Sequence, residues 1–373
     1  MKRILITGAD GFIGHHVVEG LLKNTDATIV GMSKIDSAST LHRLQDIEGW
    51  SERFAHRFSF VYHDLRSPVN AYVANRIGPV NTILHLAAST HVDRSIASPM
   101  EFVQDNVVGT CNLLDYARTL PELELLNYFS TDEVFGPAPE GVAYGEWDRY
   151  KSSNPYAASK AGGEELAYSY YNTFGLPVMI THTMNVFGER QHPEKFIPKV
   201  INAVLRGEKI FIHADPARQK AGTRFYIHAR NVCAALHFLL QQHDAGVAIA
   251  GDKFNIVGEQ EMDNLSLAQF IAKVVGKPLN YELVDFHSSR PGHDLRYALS
   301  GEKLQQMGFE YPKTFEQSLT KTVEWYLQHP QWLLTNPPVV VGDVARHAAV
   351  QAGLERGLGR VTTSGVEAKA HTA

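Results

Sequence analysis

KRILITGADGFIGHHVVEGLL, residues 2–22, decides how the rest of the chain is read. Ile4, Leu5 and Ile6 make a short apolar run that stops at Thr7 and Gly8. Gly11 and Gly14 follow at intervals of three, and Val17, Val18, Leu21 and Leu22 then recur at helical spacing. A strand, a tight turn and a helix in that order is the context in which a glycine pattern becomes a dinucleotide-binding turn. Gly8 would permit the turn, Gly11 the close approach of backbone to a pyrophosphate, and Gly14 tight packing of helix on strand. The unbonded N–H groups of the helix start would face the pyrophosphate. The spacing is GxxGxxG rather than GxGxxG, and glycine-rich turns also precede helices that bind nothing, so the motif needs support from the rest of the chain.

Moving outward, residues 1 to about 180 read as strands alternating with helices. Strands are expected at 27–31, 58–62, 82–86, 123–129 and 177–181, the last closing the set. Helices are expected at 99–120 and 155–174. This alternation implies an α/β fold, a Rossmann-type, mostly parallel sheet flanked by helices, with right-handed crossovers. Ligands of such sheets bind beyond the carboxyl ends of the strands. The residues there are Gly8, Asp64, Ala87 and the run Ser130-Thr131-Asp132-Glu133. Past residue 185, prolines at 193, 198, 216, 278, 291 and 312 break the chain into shorter elements. Helices are expected at 196–206, 230–242, 266–275, 300–307 and 314–328, forming a smaller C-terminal α/β lobe. Residues 336–373 contain no aromatic residue and read as a disordered tail. The expected division is 1–184, with a later returning strand allowed, then 185–333, then 334–373.

Composition excludes several classes. The chain has 373 residues, 44% apolar and 20% charged, with a net charge of −5, which argues against nucleic acid or an anionic membrane surface as partner. No apolar run is long enough to span a bilayer, and Met1-Lys2-Arg3 leads into a strand rather than a signal peptide, so a cytoplasmic protein is expected. The two cysteines, Cys111 and Cys233, read as buried in helices and support no metal framework. No His/Cys/Asp spacing suggests a metal site.

Two groups of residues carry chemistry. Tyr156 and Lys160 lie four apart, just inside a helix that Asn154-Pro155 would start, so both side chains emerge on one face. An ammonium beside a tyrosine favours the phenolate, which can then take a proton from an alcohol. The plain alternative is an ordinary helix surface. Asp132 and Glu133 follow an apolar strand at the mouth of the sheet, though Asp after Ser-Thr is also common turn material. If partly desolvated, their pKa values should rise, and one could act as acid and the other as base on neighbouring atoms.

These residues stand in a wider pattern: TGADGFIG (7–14), HLAASTHVDRSI (85–96), NVVGTCNLL (106–114), STDEVFG (130–136), PYAASK (155–160), NVFGERQHPEKFIP (185–198) and RPGHDLRYAL (290–299). The chain resembles the extended short-chain dehydrogenase/reductase superfamily and, within it, the nucleoside-diphosphate-sugar 4,6-dehydratases, most of all those acting on dTDP-glucose. The resemblance covers roughly residues 1–330. It implies Tyr156 as base for the sugar 4-hydroxyl, with Lys160 lowering its pKa and holding the nicotinamide ribose, and Thr131 bonding the 4-oxygen. It further implies that C4 is oxidised by NAD, that Glu133 removes the C5 proton while Asp132 protonates the departing 6-hydroxyl, and that the hydride returns to C6. NAD would stay bound and be recycled. Gly8, Gly11, Phe12, Ile13, Gly14, Ser33, Asp64, Leu65, Leu86, Ala87 and Ala88 would line the cofactor, with Tyr156 and Lys160. Ser89, His91, Asn185, Lys195, Arg224, Arg290, His293 and Arg296 would meet the nucleoside-diphosphate hexose. His85, His182 and His228 read equally as satisfied core or loop histidines. A homodimer through the helices near 101–118 and 156–172 is also implied. Related chemistries that keep Tyr156 and Lys160, 4-epimerisation or decarboxylation, have no use for the Asp132–Glu133 pair, and a homologue that only binds nucleotide would need neither.

The chain departs from the pattern where it would touch the nucleotides. The acidic residue at the end of the second strand is replaced by Ser33, followed by Lys34, with Asp36 three residues beyond Ser33. Losing that carboxylate opens the way to NADP, which Lys34 would attract. The H-L-A-A-E-S-H motif has Ser89 in place of glutamate, and a basic run, Arg218-Gln219-Lys220, precedes Arg224. The base and hexose of the substrate therefore stay open among dTDP-, UDP-, CDP- and GDP-linked sugars.

Overall fold

The computed structural model describes residues 2–34, 41–285 and 296–334. The expected tail, together with Asp36, Arg290 and His293, lies outside the described residues. Seven parallel strands form the main sheet: β1 (Arg3–Thr7), β2 (Thr28–Ser33), β3 (Phe58–Tyr62), β4 (Thr82–His85), β5 (Leu125–Thr131), β6 (Val178–Thr183) and, returning from much later, Lys253–Ile256. Their order across the sheet is Lys253–Ile256, β6, β5, β4, β1, β2, β3. The chain winds outward from β1 through β2 and β3, then crosses back to β4 and winds the other way. The direction switches between β1 and β4, the place where such sheets open a ligand crevice.

Alternation along the strands builds two cores. Ile4 and Ile6 of β1 enter the cluster on one face, with Val17, Val18, Leu21 and Leu22 of helix α1 (Phe12–Asn24) and with Leu236 and Leu239 of the helix Ala229–Asp244. Leu5 enters the cluster on the other face, with Val73 and Ile77 from the helix Ala71–Ile77, and Leu113 and Tyr170 from helices further along the chain. With helices on both faces, β4, β5 and β6 are buried throughout. The lobe is made of a three-stranded sheet (Asn185–Phe187, Thr223–His228 and Glu261–Asp263), a two-stranded parallel pair (Ile210–Ala214 and Tyr281–Asp285), and helices that include Phe196–Arg206, Asn264–Val275 and Phe315–Gln328 around their own core.

Several expectations need correction. β6 does not close the set, because Lys253–Ile256 pairs with it in register Lys253↔Ile180. β2, β5 and β6 each run two residues beyond the expected end, to Ser33, Thr131 and Thr183. Apart from Met32 those extra residues are polar, so the strand ends carry little apolar signal, while pairings such as Ser33↔Tyr62 and Thr131↔Thr183 continue the ladder. Residues 99–120 are not one regular helix: Pro99–Val103 passes through a π turn, Gln104–Val108, into Gly109–Ala117. Cys233 is buried, but Cys111 is only half-buried.

Candidate active site

The first turn forms as its glycines require. Gly8 has φ +71°, and its N–H donates to the Met32 carbonyl on β2 (2.7 Å). A Cβ on Gly8 would stand 3.0 Å from the Ala87 backbone, so the loop after β4 lies directly against the turn. A Cβ on Gly14 would fall 1.9 Å from the Gly8 carbonyl oxygen, which no side chain tolerates. Gly11 caps α1 without a side-chain bond, and half-buried Phe12 and Ile13 form its first turn. The residues thus fit a pyrophosphate over the start of α1. Ala87 N–H donates to Thr7 Oγ1 (3.2 Å), so Gly8, Leu86, Ala87 and Ala88 gather at one strand end. Leu65 is buried beside half-buried Asp64. The Asp64 carboxylate is held by Arg66 (Nε to Oδ2, 2.8 Å), which keeps its pKa below the ordinary carboxylate value. Ser33 is buried and donates to the Met32 carbonyl (2.8 Å).

Helix α2, Pro155–Phe174, opens with Asn154 accepting the Ala157 N–H (2.9 Å) and Pro155 in its first turn, and ends at Gly175 with φ +67°. Tyr156 and Lys160 emerge from it into the buried end of β5. Thr131, the last residue of β5, donates to Asp132 Oδ1 (3.0 Å), accepts the Glu133 N–H (3.4 Å) and lies near enough to the Tyr156 phenol to pull its pKa down. Asp132 and Glu133 follow the strand directly and start a 3₁₀ turn, Asp132–Phe135. That turn brings both carboxylates round to the same mouth.

Burial raises the Asp132 carboxyl to about 7, helped by the neighbouring Glu133 and opposed by Thr131 and Arg224. Its Oδ2 is buried with no protein partner. Half-buried Glu133 accepts from Asn154 Nδ2 (3.1 Å). One expectation is reversed: the Tyr156 pKa is pushed up, by burial and then by the Glu133 charge, against the pull of Thr131. Lys160 does not offset this, because its Nζ donates to the Phe129 carbonyl (2.7 Å) and sits over the Tyr128 ring (4.3 Å). Burial lowers Lys160 itself to about 7.

On the lobe side, Arg224 lies on the strand Thr223–His228, 4.8 Å from the Tyr297 ring and near enough to pull the Asp132 pKa down. Asn185 is exposed at the start of its short strand, and Lys195 caps Phe196–Arg206. His91, at the start of Val92–Ala97, lies 4.0 Å from Glu194, and its Nδ1 is buried without a hydrogen-bond partner. Arg296 spends its guanidinium inside the protein, on both Glu261 oxygens (2.7 and 3.0 Å) and on the Pro139 and Val142 carbonyls (2.6 and 2.7 Å). Ser89 likewise turns its hydroxyl to Asp105 Oδ2 (2.6 Å).

The histidines His85, His182 and His228 are satisfied core groups. His85 bridges Thr7 and Thr110, His182 bridges Asn255 and Glu164, and His228 bonds Glu189 while capping Ala229–Asp244. Among the described residues no His/Cys/Asp/Glu group could hold a metal ion, and no helix is long and apolar enough to cross a membrane. Sequence reading did not assign Asn154, Asp105 or Glu164 to the site. Only Asn154 carried a signal, since a cap uses its Oδ1 and leaves its amide free for Glu133.

The family described as GDP-mannose 4,6 dehydratase matches residues 5–322. The dTDP-glucose 4,6-dehydratase of Salmonella typhimurium is 35% identical, covering 89% of this chain and 94% of that protein. DesIV, a dTDP-glucose 4,6-dehydratase of Streptomyces venezuelae solved with NAD bound, superposes with a TM-score of 0.77 at 32% identity, over 88% of this chain and 98% of that one. The chain spans about half the length (48%) of a trifunctional UDP-glucose 4,6-dehydratase of Arabidopsis thaliana, at 35% identity. Solved epimerases at 23% identity share the fold.

Proposed function

The chain belongs to the nucleotide-sugar 4,6-dehydratase family of extended short-chain dehydrogenases, and from that membership we propose that it is an NAD-dependent lyase converting a nucleoside-diphosphate hexose to its 4-keto-6-deoxy form. The observation that carries the reading is the Asp132 carboxyl, buried, proton-holding near neutrality and with one oxygen unpartnered, beside Glu133 at the end of β5. A 4-epimerase has no work for that pair. NDP-glucose is the substrate we favour, residues 1–184 the part holding the dinucleotide, and 185–333 the part holding the nucleotide sugar. NAD as cofactor is supported by the NAD complex of the similar DesIV. NADP is the alternative.

Bound NAD supplies the oxidant for C4 and gives the electrons back at C6. Thr131 orients the 4-oxygen, and Tyr156 would accept its proton as the phenolate while C4 becomes a ketone. The positive charge of a bound oxidised nicotinamide would favour that form against the burial that raises the Tyr156 pKa in the chain alone. The ketone acidifies the C5 hydrogen, which Glu133 removes, its Oε2 steered by Asn154. Asp132 passes its proton to the 6-oxygen, which leaves as water, and Glu133 returns its proton to C5 as C6 is reduced. An acid at about 7 next to a base is the pairing this elimination needs. Arg224 tempers Asp132 and would meet the diphosphate, for which its fork of donors is suited. A homodimer through the helices near 101–118 and 156–172 completes the proposal.

The test is incubation of the purified protein with glucose and mannose linked to dTDP, UDP, CDP and GDP, without added cofactor. A product with the alkaline absorbance of a 4-keto-6-deoxy sugar is expected, with NAD identified by mass after denaturation. A 4-epimer instead, with cofactor bound, sinks the dehydratase reading.

A further inference from the structure

We propose that Asp105 sets which dinucleotide this chain accepts, by clamping Lys34 and replacing the carboxylate that Ser33 lacks at the end of β2; the proposal rests on the NAD-dependent reading above. In sheets of this kind the end of β2 carries the acid that bonds the adenosine ribose 2′-hydroxyl and repels a 2′-phosphate. Ser33 has no charge and turns inward to the Met32 carbonyl. Lys34, next in the chain, would by itself draw a phosphate. It is not left to do so: Lys34 Nζ lies 2.8 Å from Asp105 Oδ2.

Asp105 reaches this place because it sits on the π turn Gln104–Val108, whose side chain at 105 is only 8% exposed. The same Oδ2 accepts the Ser89 hydroxyl (2.6 Å), and Oδ1 lies 3.7 Å from Arg66 Nε. Its neighbour Asn106 locks the loop after β4, accepting the Ser89 N–H (2.8 Å) and donating to the Ser89 carbonyl (3.0 Å) and to Ser159 Oγ (2.9 Å). One carboxylate is thereby fixed between the ends of β2, β3 and β4, the adenosine side of the crevice. Lys34, Arg66, Asp64 and Asp105 meet here, and Glu101 also acts on Arg66. Removing the charge of Asp105 makes this corner one unit more positive and weakens the hold on Lys34, a change that favours a 2′-phosphate.

The experiment measures the dissociation constants of NADH and NADPH by fluorescence titration of the full chain, freed of cofactor by exchange. The parent is expected to prefer NADH by about tenfold or more, the equivalent of one favourable charge contact. Asp105→Asn, which keeps the shape and hydrogen bonds, should lower that preference about tenfold. Adding Lys34→Ala to it should restore the preference, and Lys34→Ala alone should strengthen it; this surface substitution keeps the test decisive should Asp105→Asn fold poorly. An NADH/NADPH ratio within twofold of the parent in Asp105→Asn overturns the proposal, as does a Lys34→Ala ratio that does not rise. A parent that binds NADPH as well as NADH overturns it too. The expected ratios with no 4-keto-6-deoxy product from any nucleotide sugar would uphold the inference and sink the dehydratase reading. Binding of neither dinucleotide would sink both.

Discussion

At Asp132 the catalytic proposal and the stability of the fold pull against each other. Its folded pKa of about 7 stands well above the ordinary 3.8. Between about pH 4 and 7 the folded chain holds a proton there that the unfolded chain has released, so this group costs stability as pH rises through that window. The full cost above pH 7 is roughly 4 kcal/mol. Asp132→Asn should therefore gain on the parent in urea unfolding as pH rises, by about 3 kcal/mol between pH 4.5 and pH 8. Lys160 is unchanged in both proteins and cancels from the comparison. A gap that fails to widen with pH would show that burial does not hold the proton. The same substitution should keep C4 oxidation while slowing release of water by a factor on the order of 10²–10⁴.

Helix α2 owes its position to a buried charge cluster rather than to apolar contacts alone. Glu164 lies eight residues past Tyr156 on the same helix and is wholly buried. It accepts from Ser130 Oγ on β5 (2.6 Å), from His182 on β6 (3.0 Å), from Tyr150, and from Lys253 on the returning strand (3.0 Å). Burial works against its charge, but His182, Lys253 and Ser130 outweigh burial and hold its pKa below the usual value. Glu164→Gln would leave Lys253, itself buried, without its counter-charge, and should cost about 3–5 kcal/mol in denaturant unfolding. A loss under about 1 kcal/mol would mean the cluster does not carry the helix. Sequence pattern placed α2 to the residue, because a capping asparagine, a first-turn proline and a terminal glycine mark both ends. The same pattern could not announce Glu164, since a carboxylate on a helix is nearly always a solvated one.

Over the whole molecule, Ile96, Met100, Val103 and Val108 leave apolar side chains exposed along residues 92–108. Joined to α2, that face is the one proposed to meet a second copy. Light scattering of the full chain should give twice the monomer mass, and Met100→Asp with Val103→Asp should give the monomer. A parent that already scatters as a monomer would rule out this dimer.

Sequence by itself determined the α/β class, the glycine turn of Gly8, Gly11 and Gly14, and the candidates Thr131, Asp132, Glu133, Tyr156 and Lys160. These are properties of local spacing: a period of two, a period of 3.6, and residues that tolerate only particular backbone angles. The tertiary structure alone decided where polar residues extend the strands, because ladder pairing rather than apolar content ends them. It alone turned Lys160 to the Phe129 carbonyl and the Tyr156 pKa upward, and gave Asp132 its raised one. Asp105 reached Lys34, 71 residues away, and Glu164 reached Lys253 by the same means. Charge pairing and desolvation depend on what lies within a few ångströms in space, and separation along the chain carries no trace of that.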